Sequence, residues 1–359
     1  MRTTCGLGDP RKLRSFVTTS VALAIAGIAA PQLGAQSADQ NIVDMGLDDL
    51  LTLDVVVINV LGPHTHLAGE WMFGYHYMPM RMSGNKIGSL TVEPETVLTD
   101  FMVSPTRMEM TTHMFEVMYA PSNELTLMVM LPYHARSMDH ITRASSVFST
   151  ESGGIGDMVL EGLLTVAGDV VDGNHRFLVT GRVVLPTGSI SETDDTPAGP
   201  AQPLPYPMQV STGTLGFAPG LVYLGESESV AWTIRMRPTF QVGRNSRGYA
   251  IGDRMEAYAW GAWAVRDWFS PTLEVGFNHW GNVSGADPDL NPAMVPTANP
   301  SLRGGTRLDL SPGVTFYASR GRLAGHRISA QLTLPLVESL EGPQLSTAWM
   351  LTVGWSWTR

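Results

Sequence analysis

The chain has 359 residues, 23 basic and 33 acidic, for a formal net charge of −10, and only 16% of its residues are charged. The acidic balance argues against nucleic acid as a partner, and the single cysteine, Cys5, excludes a disulfide framework and a thiolate metal site. The length admits two domains or one large all-β barrel, and beyond the first 35 residues no apolar run reaches the roughly 18 residues of a membrane helix.

Arg2, Arg11, Lys12 and Arg14 form a basic leader, Phe16 to Ala30 a mostly apolar stretch, and Leu33-Gly34-Ala35 a small-residue cleavage site. That order predicts a secretory signal peptide over residues 1–35. Its removal takes four basic residues and one acidic one, leaving 19 against 32, a net −13, with Lys86 the one lysine. Nearly every mature cation is then a guanidinium, whose fixed fork suits paired contacts with carboxylates. Residues 36–62 place Met45, Leu47, Leu50, Leu51 and Leu53 at helix-like spacing behind Asp44, a candidate N-cap, which predicts a short amphipathic helix.

The stretch from His64 to His140 holds twelve of the 20 methionines and six of the nine histidines. Successive side chains of a strand point to opposite faces. Trp71, Phe73, Tyr75 and Tyr77 share one parity, while His64, His66, Glu70, Met72, His76, Met78, Met80 and Met82 share the other. The next segment opposes Met108, Met110, Met114 and Met118 to Phe115, Val117 and Tyr119, and the third opposes Met128 and Met130 to Leu125, Leu127, Val129 and Leu131. Three neighbouring strands are therefore expected to carry one thioether surface. His113 breaks the pattern by sharing the parity of Phe115, as a rim position or a bulge would.

Period-2 alternation continues and predicts twelve strands, at roughly 69–83, 105–120, 123–135, 155–168, 174–187, 211–225, 228–242, 249–265, 269–281, 305–319, 324–337 and 345–357. Long Gly-, Pro- and Asp-rich connections at 84–104, 136–154, 188–210 and 282–304 alternate with short ones. Strands of this length, in even number, with long loops on one side, describe an all-β, antiparallel, up-and-down transmembrane barrel over residues 63–359. A secreted soluble β-protein would also alternate, but with its apolar face packed inward. The barrel reading makes outer-membrane lipid a partner, places residues 36–62 in the periplasm, and locates the protein in the outer membrane of a Gram-negative cell. It leaves the oligomeric state open.

The strand motifs VVLPTGSI (183–190) and YPMQVSTGTLGFAPGLVY (206–223) resemble the outer-membrane barrel family named for the meta-pathway of phenol degradation. The Met/His-rich strands resemble a transporter subgroup of it. The segment LDDLLTLDVVV (47–57) resembles the short region that precedes many outer-membrane barrels, and TAWMLTVGWSWTR (347–359) resembles the terminal strand read by barrel-assembly machinery, except that Thr358 and Arg359 follow the last Trp. The resemblance implies a barrel that passes or binds a small molecule.

With the aromatic faces toward lipid, the Met/His parity points into the lumen. Thioethers are soft neutral donors that favour Cu(I), and imidazoles extend this to Cu(II). The candidate metal-handling residues are Met72, Met78, Met80, Met82, Met108, Met110, Met114, Met118, Met128, Met130 and Met138, with His64, His66, His76 and His140. Met138-Asp139-His140 is expected in an external loop, as a first point of contact. Copper is thus a candidate cargo, against the plainer reading that flexible methionines fill the lumen. Arg182, Arg235, Arg237, Arg307 and Arg327, with Glu274 and Asp309, fall on inward parities. They predict a porin-like charged constriction or a structural ion-pair network, with Glu70, Glu116 and Asp157 as partners. No GxSxG, HExxH or Walker sequence is present, which argues against an enzyme. Uptake of small apolar or aromatic compounds, and a plugged structural barrel, are the alternatives to metal passage.

Overall fold

A computed structural model describes residues 62–168 and 174–359. The expected signal peptide and N-terminal helix lie outside the described residues. The elements run β1 (Trp71–Gly88), β2 (Leu90–Val92), α1 (Pro94–Asp100), β3 (Val103–Tyr119), β4 (Leu125–Thr142), β5 (Val147–Ile155), β6 (Met158–Ala167), β7 (His175–Leu185), β8 (Thr193–Thr196) and β9 (Gly199–Pro203). They continue with β10 (Leu215–Glu226), β11 (Val230–Val242), β12 (Tyr249–Ala250), β13 (Arg254–Trp263), β14 (Phe269–Trp280), β15 (Ser284–Gly285), β16 (Gly305–Tyr317) and β17 (His326–Thr358).

Eleven of these close a ring, in the order β1, β3, β4, β6, β7, β10, β11, β13, β14, β16, β17 and back to β1, with β2 and β5 paired to β1 and β4 outside that path. An all-antiparallel ring closes only with an even number of spans, because each neighbour must reverse direction. The 33-residue β17 supplies the extra one. Its first part pairs with β16 and its last part with β1, both antiparallel. Contacts between its own two ends show that it doubles back: His326 stacks on Trp357 and touches Trp355, while Glu338 accepts from Ser346 and Thr347. The barrel therefore has the twelve spans that the alternation predicts.

The barrel is apolar outside and polar inside, the reverse of a soluble protein. Leu221, Ile234, Phe115 and Phe177 are each more than half exposed on the outer face. Thr112, Thr180, Thr233, Ser311, Thr315, Ser329 and Thr333 are buried on the inner one. Around the short-turn end, Trp71 packs on Tyr119, Phe73 on Trp357 and Phe177 on Tyr223, an aromatic girdle of the kind that sits at a lipid interface. His113 belongs to this outer face. No register shift interrupts β1 and β3 there, and its Nδ1 lies 2.7 Å from the Tyr75 hydroxyl. It is an outward residue satisfied by a tyrosine, neither at a bulge nor turned inward.

The structure corrects two boundaries that matter for the lumen. The connection expected at 136–154 is largely a hairpin, because β4 runs on to Thr142 and pairs with β5 through Ile141 and Val147. The expected strand 155–168 breaks at Gly156-Asp157, between β5 and β6. A Cβ on Gly156 would stand 2.6 Å from His134 Nε2, so the His134 ring packs into the space that glycine leaves. Beyond the break, Asp157 accepts from the backbone and hydroxyl of Thr212 at 2.8 and 2.9 Å and from the Ser211 hydroxyl. This pins one end of the 186–214 connection, which buries Leu204 and Met208 inside the outer mouth. Asp157 thus tethers a loop and is not a partner of the lumenal arginines.

The inside-out distribution is testable. Leu221→Arg, at a 58% exposed position in the middle of β10, should lower folding stability in phospholipid bilayers by about 2–4 kcal/mol, as arginine does on a lipid-facing strand near mid-membrane. A water-facing position would tolerate the change, so an unaltered urea midpoint would contradict a membrane-embedded barrel.

Candidate functional site

The pairing of β1, β3 and β4 sets the methionines in rows across the inner wall. Met72 faces Met118, which faces Met128, and Met82 faces Met108, which faces Met138. Met80 faces Met110, His76 faces Met114, and Met130 stands beside Glu116. Directly opposed side chains on neighbouring strands lie about 5 Å apart at Cβ, so each row brings thioethers within reach of one another. The sequence parity thus places every one of these methionines on the lumenal face.

Their most buried members gather in two clusters. Met72, Met118 and Met128 pack with Leu163, Leu178, Val222 and Leu224 in the short-turn half. Met82, Met108 and Met138 pack with Leu204, Met208 and Leu345 near the outer mouth. Two apolar clusters of different composition therefore lie at different depths. Met138 is 1% exposed within the second, so it is not the external first contact expected from the sequence. His140 is also buried; it stacks on Phe148 at 4.8 Å, while Asp139 accepts from Ser149. The physical reason is the hairpin: β4 carries these residues past the expected strand end with their inward parity intact.

His64 and His66 are likewise misplaced by the strand reading. Strand β1 begins at Trp71, after a turn at Ala68-Gly69, where Gly69 adopts φ 91°. The preceding residues enter the lumen instead of extending the strand. His64 Nε2 lies 3.2 Å from Met72 Sδ, and the His64 and His66 rings meet edge to face at 4.9 Å. The His66 backbone N–H donates to Thr126, and Arg176 donates to Thr65. Glu70 pairs with His66 at 3.3 Å, not with an arginine.

Beside this segment is a chamber of about 240 Å³ whose lining includes His64, Met72, His76, Met78, Met114, Met118, Met128 and Met130. Its lining also includes Arg182, Arg235 and Arg237 from β7 and β11, and Arg327 from β17. The charges are arranged as a network. Glu161 accepts from Arg182 and lies 3.7 Å from Arg237, which donates to Glu256 at 2.8 Å. Arg235 lies over the Tyr258 ring at 4.4 Å, and Arg327 over Tyr317 at 5.3 Å. His76 and Glu116 pair at 3.0 Å on the methionine side. Arg307 and Asp309 pair separately at 2.8 Å, with Asn278 and Thr347, and neither they nor Glu274 line the chamber.

Several charged residues of the interior have roles that the sequence reading misses. Glu161 and Glu256 lie on β6 and β13, the two strands whose alternation is least regular. Arg136 keeps the inward parity of Met128 and Met130 and so was legible, but its role was not: it donates to the carbonyls of Pro207 and Gln209 and helps hold the infolded connection. That connection roofs an outer vestibule of about 370 Å³, lined by Met102, Phe148, Leu204, Leu290, Met294 and Val295 among others, with His140 at its edge. Among the described residues no group of three or more His, Cys, Asp or Glu is placed to hold a metal ion.

Glu161 is the carboxylate on which two guanidiniums converge. Breaking a buried ion pair by removing one partner costs on the order of 3 kcal/mol, so Glu161→Ala should lower the urea midpoint of the folded barrel substantially. Arg307→Met, in the separate pair, should leave the chamber's ligand binding unchanged.

No family model matches the chain, and no curated protein matches it. Solved structures do. An outer-membrane channel from Pseudomonas putida F1 superposes with a TM-score of 0.59 at 14% identity, covering 83% of this chain and 98% of that one. The transport unit of the autotransporter AIDA-I from Escherichia coli gives 0.45 at 10% identity over 86% and 96%, and the toluene transporter TbuX of Ralstonia pickettii gives 0.38 at 10% over 82% and 90%. At these scores the last two carry no weight beyond outline. The first, together with the inverted polarity and the even closed ring, establishes the fold as that of an outer-membrane β-barrel.

Proposed function

We propose that the protein is an outer-membrane conduit that takes up small apolar or aromatic molecules. The observation that carries this reading is the outer vestibule. Its size falls at the lower end of ligand pockets, which commonly run ~300–1,000 Å³, and its walls are mostly Met, Leu, Val, Pro, Phe and Ala, with polar residues such as Arg143 and Asp289 among them. Leu204 lines it and also packs on Met108, Met138 and Met208. The barrier inward of the vestibule is therefore built of unbranched thioether side chains, which change rotamer more readily than β-branched ones and favour contacts with aromatic rings. A second apolar recess of about 340 Å³ lies on the outer face at Phe115, Leu131, Tyr133 and Ile155, beside the Gly156 break. Apolar cargo thus meets apolar surface both at the mouth and at the wall.

Leu204→Trp should fill the vestibule and weaken saturable binding of toluene to the detergent-folded protein by about tenfold, the equivalent of losing one well-packed contact surface. Met108→Ala with Met138→Ala should raise conductance in planar bilayers by thinning the barrier. A wild-type protein without saturable toluene binding would end the conduit reading.

Soft-metal passage is a second reading, favoured by the 3.2 Å approach of His64 Nε2 to Met72 Sδ, with Met118 and Met128 in the same row. Such donors suit Cu(I) as cargo. Titration with Cu(I) against a competing chelator, with Ag(I) as a redox-silent control, should show saturable binding that disappears in Met72→Leu/Met118→Leu/Met128→Leu. Binding that persists in the triple variant assigns the methionines to packing.

A further inference from the structure

The inner chamber is not built for a purely apolar molecule. One wall is thioether, from β1, β3 and β4; β7 and β11, with β17 beside β1, bring guanidinium groups, and among the described lining residues there is one more arginine than carboxylates. The arginines are not equally engaged. Arg182 is committed to Glu161, and Arg237 to Glu256. Arg235 makes no ion pair among the described residues and lies flat over Tyr258. Its buried Nε, and the buried Nη1 of Arg237, have no hydrogen-bond acceptor among the described residues. These two residues are two apart on β11, share the inward face and both line the chamber. Buried N–H groups without acceptors are destabilising. Guanidinium groups bind carboxylates through paired, charge-assisted hydrogen bonds.

From this juxtaposition we infer that the chamber is a binding site for a single-ring aromatic carboxylate, held with its ring against the thioether wall and its carboxylate toward Arg235 and Arg237. The site rests on the conduit reading and narrows it: single-ring compounds pass the vestibule, and the chamber discriminates in favour of those bearing a negative charge. Thioether sulfur suits the ring because its polarisable edge contacts favour aromatic over aliphatic partners. Arg235 is the discriminating residue because Arg237 and Arg182 are already neutralised by Glu161 and Glu256.

The test compares benzoate with benzyl alcohol, a neutral compound of similar shape, by equilibrium binding to the full-length, detergent-folded protein. Wild type should bind benzoate about tenfold more tightly, the advantage of a charge-assisted hydrogen bond over a neutral one, and Arg235→Gln should bring the two affinities together without changing benzyl alcohol. Arg235→Lys keeps the charge without the fork and should restore the preference only in part. Heat-modifiable migration checks that each variant is folded, and the wild-type ratio stands without any variant. Equal affinities in wild type, or a benzoate preference untouched by Arg235→Gln, would overturn the site while leaving the conduit. Binding of benzoate alone, with neither benzyl alcohol nor toluene bound, would overturn the neutral-conduit reading and keep the anion site. Binding of none of the three overturns both.

Discussion

Everything in this molecule depends on the two-residue period of the pleat inside a closed antiparallel ring. Because the ring has no free edge, every span must present one face to lipid and the other to the lumen, and a slip of one residue would exchange them. Between β1 and β3 there is no such slip, since Met72 to Ser83 pair with Met118 to Arg107 without interruption, and the one shift between β3 and β4, at Pro105/Arg107, lies beyond the methionine rows. The same constraint forces β17 to double back, since eleven spans cannot close antiparallel. The tight approach of Glu338 to Ser346 and Thr347 is how that reversal is held.

Within that frame the interior divides by chemistry around the ring. Methionine occupies the inward positions of β1, β3 and β4, and arginine with glutamate those of β6, β7, β11 and β13. A thioether wall needs no partner, whereas a buried guanidinium does, so the charged half is a network with fixed geometry and the methionine half is free to deform. Glu161 is central because it meets two arginines from different strands. The result is a lumen with a rigid, electrostatically defined side and a compliant apolar side, a combination that suits amphipathic cargo.

Depth is set by the segments that fold inward. At the outer end, Asp157 and Arg136 hold the 186–214 connection so that Leu204 and Met208 close over the second methionine cluster. At the other end, residues 62–66 lie against Met72 and Thr126. Along the lumen, two apolar clusters and a charged chamber beside one of them succeed one another.

The alternation of Trp71, Phe73, Tyr75 and Tyr77 with Met72, His76 and Met78 was enough to determine the strands, their facing and the number of spans, because side-chain direction in a strand follows from sequence position alone. It also placed Arg182, Arg235, Arg237 and Arg327 inside. It could not decide where a strand yields to a turn or a tether, so His64 and His66 read as strand residues and Met138 as a loop residue. Nor could it find Glu161 and Glu256, since partners across the ring are fixed by closure and register, which join residues far apart in the chain. What the sequence determined is which way each side chain points; only the tertiary structure decided which of them meet, because meeting depends on the curvature of the ring and on the loops that fill it.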